Sequence, residues 1–129
     1  MRCLPVLLAL AALPARADIE PGNWEITSST TVQGIREPTS LVQTRCITPE
    51  EARDPSRLFG GSPGAGCRFV NRNDTGSVFT FELSCDAQPP LRGSGAVRYA
   101  REALEGELEL TAESFAARSR ITARRLGGC

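Results

Sequence analysis

The sequence predicts an all-β protein: a single antiparallel, strongly curved sheet, forming a barrel or half-barrel meander of about seven to eight strands. One short helical excursion is expected near residues 48–59. Three observations carry this. From Trp24 onward the dominant hydrophobic period is two, the strand period. No segment is long enough in the helical period to lay a helix over the sheet. Four cysteines remain after an amino-terminal leader, the pattern of a small exported domain held by disulfides.

The leader comes first. "MRCLPVLLALAALPARA" has a positive charge at Arg2, an apolar run from Cys3 to Leu13 and the small-residue pattern Ala15-Arg16-Ala17. That is the layout of a secretory signal peptide over residues 1–17, with cleavage before Asp18. The run is too short for a bilayer, which needs about 20 apolar residues, and Pro5 and Pro14 would break a buried helix. Cys3 precedes the run, whereas a lipid-modified cysteine would follow it. The expected location is periplasmic or secreted in a bacterium. Removing 17 of 129 residues leaves 112, one domain over 18–129. Its 13 basic side chains (15 less Arg2 and Arg16) stand against 15 acidic ones, a net charge of −2. This offers no footprint for nucleic acid, and no later stretch is apolar enough for a membrane span.

Composition narrows the chemistry. The chain has no histidine and no lysine, so every positive side chain is arginine, which does not act as a general base. Ser–His–Asp and Cys–His mechanisms, His-based zinc sites and Schiff-base chemistry are excluded. Paired carboxylates stay open, with Glu25, Asp74, Glu82 and Asp86 as candidates that no spacing singles out. The expectation is a protein that is not an enzyme, with no catalytic residues, no cofactor and no metal site.

Cleavage also removes Cys3 and leaves Cys46, Cys67, Cys85 and Cys129. No Cys-x-x-Cys spacing suggests zinc, so two disulfides are expected. Four cysteines allow three pairings, and the sequence alone does not choose. Local closure favours Cys46–Cys67 with Cys85–Cys129, because a bridge at its base would close the intervening excursion. In that excursion Thr48 suits a helix cap, Pro49 the first helical position, and Glu51 completes a capping box. Asp54-Pro55 repeats the start signal, so at most two short turns fit before the glycine-rich return. One objection remains: in a strict meander Cys129 would finish at the end of the sheet opposite Cys85.

The strands follow in order. "NWEITSSTTV" places Trp24, Ile26 and Val32 on one face. "LVQTRCI" and "CRFVNRN" are shorter candidates. "SVFTFELSC" aligns Phe79, Phe81, Leu83 and Cys85. The "NDTG" before it is turn chemistry, with Gly76 free to take positive φ, and its N-x-T match at Asn73 is read as that turn. "GSGAVRYA" aligns Gly95, Val97 and Tyr99, and "ALEGELELT" aligns Leu104, Leu108 and Leu110. "SFAARSRITARR" aligns Phe115, Ala117 and Ile121. A turn at Ala112–Ser114 pairs Thr111 with Ala116, and it then sets Glu109 opposite Arg118, Glu107 opposite Arg120 and Leu110 opposite Ala117. Opposite charges meet on one face and apolar groups on the other, and a one-residue slip would scramble both. Arg98 opposite Glu105 extends the same logic. The charged rows read as a solvated face. The apolar row (Trp24, Ile26, Phe79, Phe81, Leu83, Val97, Tyr99, Leu108, Leu110, Phe115, Ile121) has no helix to cover it, so the sheet must curl on itself.

Those segments carry a family resemblance. "PGNWEIT", "RCITPEEARDP", "GCRF", "GSGAVRYAREALEGELEL" and "ARRLGGC" resemble the bacterial family called domain of unknown function 3617. Its members are exported proteins with a P-G-x-W-E start, a C-x-T-P-E segment and a terminal R-R-x-G-x-C. The resemblance implies a bacterial, periplasmic β-domain and brings no activity and no catalytic residues. The methionine-rich strands of that family are replaced here by leucine, alanine and arginine, so no methionine-based role carries over.

The function expected from the sequence is a non-catalytic envelope protein that binds a protein partner or a small apolar ligand on its curved sheet. The alternatives are an inhibitor of a hydrolase acting through the 48–66 loop, or a carboxylate-dependent hydrolase of envelope glycans.

Overall fold

The structure, a computed structural model, describes residues 18–55, 57 and 66–129. The predicted signal peptide and much of the return segment after the helix lie outside the described residues. Seven strands form one antiparallel sheet: β1 (Gly22–Val32), β2 (Thr39–Ile47), β3 (Cys67–Asp74), β4 (Val78–Cys85), β5 (Leu91–Tyr99), β6 (Ala103–Ala112) and β7 (Phe115–Gly127). Among the described residues one short α-helix, α1 (Pro49–Arg53), follows β2. The order across the sheet is β2-β1-β7-β6-β5-β4-β3. The chain from β3 to β7 is therefore a simple meander, and the β1–β2 hairpin docks onto its far side through β7. No pairing joins β2 to β3, so the sheet stays open and the half-barrel alternative applies.

Its curvature follows from burial. Trp24 is fully buried and Val97 is 1% exposed, although no second layer of described strands lies over them. A flat, uncovered face leaves its side chains in water, so the sheet has rolled its apolar face inward. Ile19, Trp24, Ile47, Phe79, Phe81, Val97, Leu104 and Ala123 form the buried cluster.

The registers match the charge and apolar pattern. Glu109 faces Arg118, Glu107 faces Arg120, Leu110 faces Ala117 and Thr111 faces Ala116. Arg98 faces Glu105. The predicted turn before β4 also forms: Gly76 has φ +92°, and its amide donates to Asp74 Oδ1 at 2.9 Å. The α1 cap is as expected, with Glu51 N donating to Thr48 Oγ1 and the Glu51 carboxylate accepting from Thr48 N. A second, tighter turn follows at Asp54–Arg57, where Arg57 N donates to Asp54 O at 3.0 Å.

The disulfide pairing differs from the favoured one. Cys46 bonds Cys129, and Cys67 bonds Cys85. The reason is strand order. Asn23 of β1 faces Cys46 on one side and Gly127 on the other, so Cys129 emerges within reach of Cys46 across β1. Cys67 and Cys85 are direct partners across the β3–β4 ladder. The excursion is thus not closed at its base; each bridge instead fastens one edge strand to the sheet interior.

One glycine has a packing role. A Cβ on Gly95 would lie 2.4 Å from Phe81 Cζ and 2.8 Å from the Glu107 carbonyl oxygen, so the tip of the Phe81 ring occupies the space a side chain would need. Gly95→Ala should cost about 1–3 kcal/mol by overpacking. A denaturation midpoint equal to that of the parent protein would rule out this packing.

Candidate functional site

The register pairs define an inner face. It carries Trp24, Ile26 and Ser28 of β1, Leu41, Gln43 and Arg45 of β2, and Ile121 and Ala123 of β7. β6 adds Leu104, Leu108 and Leu110, and β5 adds Val97 and Tyr99. β4 adds Phe79, Phe81 and Leu83. The eleven residues of the predicted apolar row all fall on this face. Trp24, Phe79, Phe81 and Val97 are buried, and Ile26, Leu83, Tyr99, Leu108 and Ile121 pack against them while half-buried. Phe115 stands at the far rim, 41% exposed.

The face is closed at one end and open at the other. At the closed end the Trp24 Nε1–H donates to the Glu20 carbonyl at 3.0 Å, which satisfies the indole inside the core. Phe69 meets Phe79 and Phe81 edge-on, with centroids 6.3 and 5.6 Å apart, and Phe79 stacks on Phe81 at 5.4 Å. Towards the β1–β2 side this packing leaves a cavity of about 190 Å³. Its lining is mainly Ile26, Ile47, Leu104, Ile121 and Ala123, with Ser28, Gln43 and Arg45 supplying the polar part.

Helix α1 is pinned beside this opening. Glu51 uses one carboxylate oxygen in the capping box and gives the other to Arg45 of β2. Ala52 packs on the core, and Pro55 is buried. A cap motif readable in sequence therefore doubles as the link that holds the helix to the cavity's polar edge.

A larger hollow of about 580 Å³ lies elsewhere, lined mostly by polar and charged side chains such as Arg68, Glu82, Arg92 and Glu109. It is shallow and lacks the apolar enclosure that lets a site retain a ligand, so the smaller cavity is the candidate.

The candidate carboxylates are not brought together. Glu25 accepts from Arg124 at 3.1 Å. Asp74 holds the β3–β4 turn and accepts from the Tyr99 hydroxyl at 2.6 Å. Asp86 pairs with Arg68 beyond the other end of β4, and Glu82 is exposed in mid-strand. Among the described residues no group of three or more His, Cys, Asp or Glu is placed to hold a metal ion. The altered carboxylates belong to surface ion pairs. Glu107 is held below the usual carboxylate range by the hydrogen bond from Arg98, at 2.6 Å. Glu20 is lowered by the hydrogen bond and charge of Arg101. Glu107 therefore bonds Arg98 rather than Arg120, its register partner.

Sequence reasoning missed Ile19, Ile47, Gln43 and Arg45. Alternation in "LVQTRCI" does place Leu41, Gln43, Arg45 and Ile47 on one side, but two polar members hide the pattern. Ile19 lies before the first strand, where no period reaches it.

None of the described helices is long and apolar enough to cross a membrane. No curated protein and no solved structure matches the chain. The family model described as "Protein of unknown function (DUF3617)" matches residues 19–129, most of the chain. On a match of that length, the chain belongs to the DUF3617 family.

Proposed function

We propose that the protein acts in the bacterial cell envelope as a non-catalytic binding protein whose half-open trough takes one small apolar ligand. The observation that carries this is the cavity of about 190 Å³, with aliphatic walls and a polar edge at Gln43 and Arg45. Apolar cavities of about 150 Å³ are large enough to take a benzene-sized molecule. The walls offer dispersion contacts and no charge, so the ligand class is a compact hydrocarbon or the end of an acyl chain. Its polar end would emerge beside Arg45. The leader sequence and the two disulfides support the envelope location. The lack of histidine and lysine supports the non-catalytic reading.

Native mass spectrometry of protein purified from its own periplasm should show a bound apolar molecule, and a fluorescent fatty-acid probe should be displaced by it. Ser28→Trp, which fills the cavity from β1, should weaken probe binding at least about tenfold. The proposal is sunk by a protein that carries nothing and ignores the probe, or by a Ser28→Trp variant that binds it as well as before.

A further inference from the structure

The two edges of this open sheet are not alike. On β3 the register shifts between Phe69 and Asn71, and Val70 is pushed out of the ladder. The same strand carries Arg68, Arg72 and Asp74. A bulge and charges are the usual devices that stop another strand from adding to an edge. β2 has neither. Its nine residues pair with β1 without interruption from Gly22↔Ile47 to Thr30↔Thr39. It has no proline, and its one charge, Arg45, is taken up by Glu51. Leu41 and Val42, on opposite faces, are 55% and 61% exposed. No described strand lies on its outer side. A regular edge that no described strand pairs, with exposed apolar side chains on both faces, is a template for one more strand.

We propose that β2 pairs antiparallel with β2 of a second copy of this chain, joining two seven-stranded sheets across a two-fold axis at Gln43. In this register Val42 lies opposite Thr44 of the second copy, a β-branched pair on the outer face. Leu41 lies opposite Arg45, whose aliphatic stem it covers, and Ser40 lies opposite Cys46. The single charge of each strand meets no like charge, which is why a second copy fits. An acidic partner strand would find Arg45 already neutralised. A two-fold contact uses the same patch on both chains, so it closes at the dimer. One pair of nine-residue strands buries less than the roughly 1,000 Å² typical of stable complexes, so the dimer is weak and concentration-dependent.

Sedimentation velocity on the oxidised protein, from about 5 µM to about 1 mM, should show a monomer giving way to a dimer. Amides of residues 39–47 should gain protection from hydrogen exchange over the same range. Val42→Lys, at a position open to solvent, should keep the parent melting temperature and abolish the shift, and Thr44→Lys should do the same from the facing position. A protein still monomeric at the highest concentration overturns the proposal. So does a dimer untouched by both lysines, which would place the interface elsewhere. Protection of 39–47 that appears only with a different envelope protein would give the edge to that partner and equally overturn the second-copy reading. None of these outcomes depends on whether the trough holds a ligand.

Discussion

Replacing both Cys46 and Cys129 with serine should lower the stability of the oxidised protein by about 4–5 kcal/mol, by the chain-entropy relation for loop closure. The bridge spans a sequence separation of 83, against 18 for Cys67–Cys85, whose removal should cost about 3 kcal/mol on the same relation. In a domain of this size the larger loss is a fall in melting temperature of about 15–20 °C. The double substitution avoids leaving one thiol free to attack the other bridge. Denaturant melts of the two double variants test the ordering. If losing Cys67–Cys85 costs as much as losing Cys46–Cys129, the entropic account of this sheet is wrong. A non-reducing peptide map would check the pairing itself.

Trp24→Ala should be comparably severe, about 3–5 kcal/mol, because an indole with no exposed surface leaves a cavity that a sheet cannot easily collapse. More than packing is lost. The indole anchors the Glu20 carbonyl, and Glu20 in turn ties the amino-terminal segment to Arg101 through its amide at 2.8 Å and its carboxylate at 2.8 Å. Trp24→Phe keeps most of the ring but strands the carbonyl, and should cost about 1–3 kcal/mol. Trp24 is the sole tryptophan, so native fluorescence reports this site alone and should be blue-shifted, moving red on unfolding. Red-shifted emission from the folded protein would show the indole to be in water and the core misassigned.

How far the fold could be read from sequence depended on whether both faces of a strand were labelled. In β6 and β7 glutamates oppose arginines on one side while leucine opposes alanine on the other, so only one register satisfies both, and that register forms. In β2 the inner face carries Leu41, Gln43, Arg45 and Ile47. Its polarity mimics an outer row, and the cavity edge it supplies went unseen. Periodicity also says nothing about which strands are neighbours. Adjacency of β1 and β7 brings Cys129 to Cys46, and no local pattern near either cysteine announces it. The capping box was legible because it is complete within four residues. Its second role, reaching Arg45, depends on β2 lying alongside and was not.

The docking of β1 on β7 sets the order of assembly. Glu25 and Arg124, ion-paired across that ladder, are 99 residues apart in the chain. A polypeptide that emerges amino end first makes its opening hairpin early and supplies that hairpin's neighbour last. Until β7 arrives, Trp24 has no enclosure and Leu41 and Val42 sit on a hairpin with two bare margins. Closure between segments so distant in sequence is slow. The last strand therefore completes both the sheet and the enclosure of the core, and the first hairpin gains its inner neighbour only when the seventh strand is free.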